Sequence, residues 1–217
     1  MTDKIMIQSD FDGTLITEDV SVILLDHFTD KKWRVLYDDY VSGRISLDDF
    51  NYTAFHMVKA SKEEFIEYAR RYMKPRPGVK ELIETCREMG IRFHIVSNGL
   101  TDYIKAFLTD LGEPDTEAKA ALATYEPDGM NSWYEDPTGK RILTGFKSSY
   151  TKLFKKQGYK IIYLGDGISD YEPSGKCDVV FARDDLWKKY STRKRIKKGL
   201  EVRELRDLND VVSYLRS

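Results

Sequence analysis

Two aspartates near the start of the chain, Asp10 and Asp12, are separated by one residue and followed by Gly13. Side chains two residues apart point to the same side of an extended backbone, so both carboxylates can face one pocket. Two negative charges this close are unfavourable unless a cation or a shared proton compensates for them. An acidic turn is one interpretation, because Asp and Gly are common turn residues. A calcium-binding loop is excluded, because its sixth position requires glycine and here holds Leu15.

Further polar residues follow other predicted strands. The apolar run at 4–8 predicts a buried strand before the aspartates, and two more strands are predicted at 91–96 and 160–164. A helix predicted over 147–157 leads into the last of these. The carboxyl ends of parallel strands meet at one edge of a sheet. The side chains that we expect to converge there are those of Asp10, Asp12, Ser97, Asp166 and Asp170, with Lys147 reaching in from its helix.

This set of side chains has the chemistry of a site that handles phosphate. Several carboxylates at one edge need a cation, and an all-oxygen ligand set suits Mg²⁺, whereas the absence of histidine argues against zinc. A Ser hydroxyl, a Lys ammonium and amides beside glycines are donors for a phosphate dianion. One carboxylate can attack phosphorus and form an aspartyl-phosphate, and a second can donate a proton to the leaving oxygen. Alone, the Asp- and Gly-containing stretches also occur in ordinary turns, and Lys147 could be a solvated helix residue, but the order of these features along the chain favours function.

The remaining pattern predicts the elements that position these groups. Residues 18–73 show helical spacing without a convincing strand, and the Pro- and Gly-containing stretch 74–78 ends that run. Strands then alternate with helices, with a hairpin predicted within 113–146. We therefore predict an α/β protein with a doubly wound, mostly parallel sheet. Residues 1–15 and 75–217 would form the catalytic core, and residues 16–74 a small α-helical cap inserted after the aspartate pair.

Composition narrows the class of protein. The chain has 217 residues with a formal net charge of −1, so no overall field favours nucleic acid or an anionic membrane. No apolar run approaches the ~20 residues of a membrane span, and no signal peptide is visible. Cys86 and Cys177 lack a metal-type spacing, which favours two reduced thiols in a cytoplasmic protein. A basic run within 188–198 leaves nucleic-acid binding open, although a solvated surface is favoured.

The motifs resemble those of the haloacid dehalogenase superfamily of phosphohydrolases. Asp10-Phe11-Asp12-Gly13-Thr14 matches its first motif, Ser97-Asn98 the second, Lys147 the third and Gly165-Asp166-Gly167-Ile168-Ser169-Asp170 the fourth. The resemblance implies a Rossmann-like core with Asp10 as nucleophile and Asp12 as general acid and base. It implies that Ser97, Asn98 and Lys147 bind phosphate. It also implies Mg²⁺ held by Asp10, Asp166 and the main-chain carbonyl of Asp12, with Asp170 in support.

The helical block resembles the cap of the phosphoserine phosphatase-like branch. The short gap from Lys147 to Asp166 and the ending at 180–184 look most similar to the methionine-salvage phosphatases that act on 2-hydroxy-3-keto-5-methylthiopentenyl-1-phosphate. Phosphatases of phosphoserine, pyridoxal phosphate and phosphocholine are further alternatives. A small phosphate ester is the expected partner, and the chain would be a monomer or a homodimer. A phosphate-binding protein without turnover and a nucleic-acid-end phosphatase remain as alternatives from other classes.

The cap departs from the phosphoserine phosphatase pattern, in which a Glu and an Arg hold the amino acid. The position nine residues after Asp10 is Asp19, which is one carbon shorter than Glu, and no Arg lies between Arg44 and Arg70. A substrate that carries a carboxylate is therefore disfavoured. The candidates for contact with substrate in the cap are Asp19, Tyr52, Phe55 and His56, although the helical spacing of the aromatic residues also suits packing inside the cap.

Overall fold

The computed structural model describes residues 4–192 and 197–217 of the chain. Three members of the predicted basic run, Arg193, Lys194 and Arg195, lie outside the described residues. Among the residues described, no helix combines the length and the apolar character that a membrane crossing requires.

Within the described residues, eight strands form one sheet at the centre of the molecule. In chain order they are β1 (Ile5–Ser9), β2 (Arg92–Leu100), β3 (Glu117–Glu126), β4 (Gly129–Glu135), β5 (Arg141–Ile142), β6 (Lys160–Gly165), β7 (Val179–Ala182) and β8 (Glu201–Glu204). Their order across the sheet is β5-β4-β3-β2-β1-β6-β7-β8. The six neighbouring strands β3-β2-β1-β6-β7-β8 are parallel to one another, whereas β4 pairs antiparallel with β3 and with β5. The prediction of a mostly parallel α/β sheet is confirmed.

Strand β1 lies where the strand order reverses. It pairs with β2 on one side and with β6 on the other, and Met6 and Ile7 at its centre are fully buried. A strand covered on both faces reads as a continuous apolar run, which is why this segment could be recognised from the sequence. Open α/β sheets bind ligands in the crevice at such a reversal, beside the carboxyl ends of the strands.

Helices account for most of the rest of the described chain. Between β1 and β2 lie α1 (Val20–Phe28), a 3₁₀ helix (Lys32–Leu36), α2 (Tyr37–Val41), α3 (Leu47–His56), α4 (Lys62–Arg70) and α5 (Val79–Glu88). After β2 follow α6 (Thr101–Leu111), α7 (Phe146–Lys156), α8 (Tyr171–Ser174), α9 (Asp184–Ser191) and α10 (Asn209–Leu215). Helix α5 packs on β2 and α10, whereas α7 packs on β2, β6 and α8.

The helices α1 to α4 form a segment that leaves the sheet and returns to it at adjacent points. Ile16 and Pro75 form an isolated bridge, and the Thr17 amide donates to the Lys74 carbonyl at 3.0 Å. Ser61 starts α4 through a complete capping box with Glu64, which satisfies amides at the helix start. We describe these helices as the helical segment. The boundaries predicted for a separate cap remain a prediction.

Strand β2 is longer than the sequence predicted. We expected a strand that ended at Val96, but β2 continues to Leu100, so that Ser97, Asn98 and Gly99 lie within the strand. Its pairing with β3 shifts between Val96, which faces Lys119, and Leu100, which faces Ala121. The extra residues on β2 form an irregularity of the kind that re-aims side chains beside a site. Pairing with β3 therefore overrides the turn preference of the Asn-Gly pair.

Candidate active site

Three carboxylates meet at the carboxyl ends of β1 and β6. One oxygen from each of Asp10, Asp166 and Asp170 lies within 4.8 Å of the others. Asp10 directly follows β1, and its amide donates to the carbonyl of Leu164 in β6 at 2.9 Å. A 3₁₀ helix (Ile168–Asp170) turns the chain after β6, so that Asp170 points back to the strand ends. The prediction that these strand ends bring their acids together agrees with the geometry.

Lys147 joins two of these carboxylates. Its Nζ lies 2.7 Å from Asp10 Oδ2 and 2.7 Å from Asp170 Oδ1, and the side chain is buried. Gln8 in β1 holds the first turn of α7, because its side-chain amide donates to the Lys147 carbonyl at 3.2 Å. Burial opposes the charge of Lys147, but Asp10 and Asp170 more than offset this and raise its pKa. The ammonium therefore stays protonated inside the protein.

Asp170 is fully buried, and its hydrogen bonds explain how a carboxylate is tolerated there. Oδ1 also accepts from the Tyr163 hydroxyl at 2.7 Å, and Oδ2 accepts from the amides of Asp166 and Gly167 at 3.2 and 3.1 Å. A buried charge needs such partners, because leaving it unpaired costs several kcal/mol. The Thr14 hydroxyl donates to Asp166 Oδ1 at 3.0 Å, which ties the first motif to the fourth.

The electrostatics of this cluster fit a divalent cation. Burial, followed by repulsion from neighbouring carboxylates, raises the pKa of Asp10 to about 7 and that of Asp166 to about 8. One ammonium thus does not neutralise three carboxylates, and the cluster favours either added protons or added positive charge. The donors are all oxygen atoms with a mutual spacing that one ion can bridge, which suits Mg²⁺.

Asp12 has different surroundings. Its Oδ1 accepts from the amide of Val20 at 3.0 Å, and its Oδ2 accepts from the Tyr103 hydroxyl at 2.6 Å and from Ser21 at 3.4 Å. These donors are neutral. Burial, with a further contribution from Asp19, raises the pKa of Asp12 well above its usual value. Burial among neutral donors therefore favours the protonated form of the Asp12 carboxyl group.

The second motif lies beside Lys147. Ser97 is buried, and its Oγ accepts from the Gly99 amide at 3.1 Å. The carbonyl of Asn98 accepts from the Tyr134 hydroxyl at 2.5 Å, so β4 supports this part of β2. A cavity of about 130 Å³ opens here, and its lining comprises Tyr40, Leu47, Asn98, Gly145, Phe146, Lys147, Ser148, Ser169, Glu172 and Pro173. Tyr40 and Leu47 are the contribution of the helical segment.

The four candidates in the helical segment lie in different environments. Asp19 caps α1 by accepting from the Val22 amide at 3.1 Å, and it interacts electrostatically with Asp12 and Lys147. Phe55 is buried against Phe65, inside the segment. Tyr52 stacks on His56 with ring centroids 5.9 Å apart, and the guanidinium of Arg141 lies over the Tyr52 ring. The structure thus places Asp19 within electrostatic range of Asp12 and Lys147, whereas Tyr40 and Leu47 face the cavity.

Several contributors to the site were not found from the sequence. Arg76 is buried, and it donates from Nε to the Thr14 carbonyl and from Nη2 to the carbonyls of Gly13 and Ile16, at 2.7, 2.7 and 3.1 Å. An Arg between two prolines was the only local signal for this role. A Tyr in a buried strand signals a hydroxyl that needs a partner, which could have singled out Tyr163. Tyr103 carries no signal beyond its position on an apolar helix face.

Comparison with known families and proteins places the chain among its relatives. The family model described as haloacid dehalogenase-like hydrolase matches residues 7–172. A 2-hydroxy-3-keto-5-methylthiopentenyl-1-phosphate phosphatase from Geobacillus kaustophilus is 29% identical over 198 residues, which cover 87% of each chain. Pdp3-interacting factor 1 from Schizosaccharomyces pombe is 28% identical over 205 residues, which cover 89% of this chain and 88% of that protein.

Solved structures share the fold. A phosphoserine phosphatase in the form of a phospho-aspartyl intermediate analogue superposes with a TM-score of 0.70 at 20% identity, covering 98% of this chain and 99% of that one. A phosphoserine phosphatase from T. onnurineus superposes with a TM-score of 0.67 at 20% identity, covering 99% and 96%. The similarity extends along the whole chain and includes the helical segment.

Proposed function

Because the chain belongs to the haloacid dehalogenase-like hydrolase family, we propose that it hydrolyses a small phosphomonoester through an aspartyl-phosphate on Asp10, with Mg²⁺ as cofactor. The observation that carries this proposal is the contrast between two neighbouring carboxyl groups. Lys147 lowers the pKa of Asp10 against the effect of burial, whereas Asp12 is surrounded by neutral donors. When the surroundings favour the charged form of one carboxyl group and the protonated form of its neighbour, the first suits the role of nucleophile and the second that of acid. Here these groups are Asp10 and Asp12.

The reaction follows from these assignments. Lys147 holds Asp10 Oδ2, which orients the carboxylate so that its other oxygen can attack phosphorus. As the new bond forms, the ester P–O bond breaks and Asp12 donates its proton to the leaving oxygen. Asp12 then accepts a proton from the water that attacks the aspartyl-phosphate, which releases phosphate and restores Asp10. Ser97, Asn98 and Lys147 would bind the oxygens of the phosphate.

Asp10, Asp166 and the main-chain carbonyl of Asp12 would hold Mg²⁺, with Asp170 in support. The ion would supply positive charge that offsets the carboxylates and the phosphate. This charge lowers the pKa of Asp10 and Asp166, so both would be ionised at neutral pH. The deficit of positive charge in the cluster supports this role.

The test of this function is the variant Asp10→Asn. It keeps the size of the side chain but removes the nucleophile, so hydrolysis of 4-nitrophenyl phosphate should fall at least about a thousandfold. EDTA should abolish the wild-type rate, and Mg²⁺ should restore it. Asp110→Asn, which changes an exposed partner of Arg70, is the matched control and should keep full activity. Retained activity in Asp10→Asn would refute the covalent mechanism. Stable binding of beryllofluoride without any turnover would instead favour a phosphate-binding protein.

We further propose that the substrate has an apolar end, as 2-hydroxy-3-keto-5-methylthiopentenyl-1-phosphate does. Tyr40 and Leu47 line the cavity on the side of the helical segment. Two acidic groups, Glu172 in the cavity lining and Asp19 near Asp12, would repel a substrate carboxylate. The name of the Geobacillus relative supports the same class. A panel of this compound, phosphoserine, pyridoxal phosphate, phosphocholine and nucleotides should give the highest kcat/KM for the methionine-salvage ester. A preference for phosphoserine would refute the substrate class but not the reaction.

Three further expectations belong to this proposal. We propose that the helical segment acts as a cap over the cavity, as the positions of Tyr40 and Leu47 suggest. Cys86 and Cys177 are buried free thiols, which agrees with the cytoplasmic location that we expect. The chain would act as a monomer or a homodimer, which sedimentation would distinguish.

A further inference from the structure

The hydroxyl of Tyr103 lies between the helical segment and the first motif, and packing and hydrogen bonds fix its position. Tyr103 is fully buried in α6, and its ring packs against Phe11 with centroids 5.9 Å apart. Phe11 is the residue between Asp10 and Asp12, and it also packs edge-on against Phe107 at 5.1 Å. One aromatic cluster therefore fixes both the backbone of the aspartate pair and the direction of the Tyr103 hydroxyl.

A buried tyrosine hydroxyl needs hydrogen-bond partners, and this one has two. It donates to Asp12 Oδ2 at 2.6 Å and lies 2.8 Å from Ser21 Oγ in α1. Asp12 also accepts from the amide of Val20, which adjoins Ser21. Donors from α1 and from α6 thus hold the two oxygens of one carboxylate, which fixes both its position and the plane in which it lies.

The space for this hydroxyl depends on Gly99. A Cβ placed on Gly99 would lie 1.8 Å from the Tyr103 hydroxyl oxygen and 2.7 Å from Asp12 Oδ2. The irregular part of β2 therefore lets the hydroxyl pass directly against the backbone and reach Asp12. The missing side chain at Gly99 is thus a second observation, besides the hydrogen bonds, that the Tyr103 hydroxyl is packed against Asp12.

We propose that Tyr103 is the positioning residue for Asp12, and that it aims this carboxyl group at the leaving oxygen through a hydrogen-bond bridge to α1. The inference rests on the proposed function, in which Asp12 donates a proton to the leaving group. A carboxyl group that is held by only one oxygen can rotate. A misplacement of about 1 Å in a reacting group can cost a hundredfold in rate. Tyr103 does not contact the substrate in this role and acts only through Asp12.

The test is the variant Tyr103→Phe, which removes one oxygen and keeps the ring. Good leaving groups need little protonation, so the variant should be sensitive to the leaving group. The value of kcat/KM reports steps up to the formation of the phosphoenzyme. For phenyl phosphate, whose phenol has a pKa of about 10, we expect a fall of about tenfold to hundredfold. For 4-nitrophenyl phosphate, whose phenol is much more acidic, we expect a fall of less than about threefold.

Two further variants make the result decisive. Tyr125→Phe removes a hydroxyl that donates to Asp102 Oδ2 at 3.1 Å, and it should leave both rates unchanged. Ser21→Ala removes the second partner of Tyr103, together with the longer contact of Ser21 with Asp12 Oδ2 at 3.4 Å. It should lower the ratio of the phenyl phosphate rate to the 4-nitrophenyl phosphate rate about two- to fivefold. If Tyr103→Phe does not fold, an unchanged ratio in Ser21→Ala would still overturn the hydrogen-bond bridge from Tyr103 to α1.

The outcomes separate the inference from the function on which it rests. An equal fall for both esters, or no fall, would overturn the positioning role of Tyr103 while leaving the phosphatase intact. If the wild-type protein hydrolyses neither ester in the presence of Mg²⁺, the proposed function fails, and the inference fails with it.

Discussion

Arg76 offers a sharp test of how the loop after β1 is held in place. The variant Arg76→Met keeps a straight, apolar side chain but removes the donors that bind the carbonyls of Gly13, Thr14 and Ile16. Two effects oppose each other. Burial disfavours the guanidinium and lowers its pKa, so its removal relieves a desolvation cost. The three carbonyls, however, lose a charged donor at 2.7, 2.7 and 3.1 Å.

The loss of the donors should dominate. At about 1 kcal/mol for each carbonyl that is left without its partner, the free energy of unfolding should fall by about 3 kcal/mol. For a chain of this size, that corresponds to a decrease in Tm of about 6–12 °C. Urea denaturation followed by circular dichroism would measure the change, and the m-value would show whether unfolding stays two-state. Activity should fall as well, because the loop carries Asp12.

The matched control is Arg70→Met. Arg70 is an exposed helix residue that pairs with Asp110 at 2.9 Å, and a surface pair of this kind contributes about 0–1 kcal/mol. A change in Arg76→Met no larger than that in Arg70→Met would refute the reasoning. It would mean that the desolvation cost of the guanidinium balances its three hydrogen bonds.

Two further predictions concern the loop glycine and a buried histidine. Gly13 has φ +68°, and an added Cβ would lie 2.3 Å from Asp166 Oδ2, so Gly13→Ala should lower stability by at least about 2 kcal/mol and weaken Mg²⁺ binding measured by calorimetry. Gly90→Ala, at φ +65° with no atom within 4 Å, should cost only about 1 kcal/mol, and equal losses would contradict the steric argument. Burial, with repulsion from Arg92 and Lys119, lowers the pKa of His94 to about 4, although Glu117 acts in the opposite direction. The unfolded chain, with the ordinary His value of about 6.5, then binds more protons between these two pKa values, so stability falls as the pH falls through that window, by about 2 kcal/mol between pH 7 and 5. His94→Phe should remove this part of the pH dependence in urea titrations, and an unchanged slope would refute it.

The sequence could predict those parts of the site that lie at the ends of apolar strands. The run before Asp10 and the run before Asp166 are buried on both faces, so their apolar character alone identified them as strands. Parallel pairing then placed their acids at one edge. Lys147 was found because its helix leads directly into β6. These inferences needed only local patterns and one rule of topology.

Other features depend on partners that are distant in the chain. Strand β2 continues through Gly99 to Leu100, which pairs with Ala121, whereas the local Asn-Gly pair favours a turn. The spacing of Tyr52, Phe55 and His56 indicates a helix but not which face meets the cavity, because the neighbours of α3 decide that. Arg76 and Tyr103 act through atoms more than sixty residues away. No local pattern contains that information.

The bridge between Ile16 and Pro75 has a consequence for how this chain can change over time. Because the two ends of the helical segment are paired with each other, residues added to or lost from the connections between its helices change the closure entropy of the segment only slowly. Changes in the length of these connections, away from the contacts of Val20 and Ser21 with Asp12, can therefore accumulate without moving β1. Asp10, which would attack phosphorus, then stays with the sheet, while the part of the helical segment that would select the ester can change in evolution.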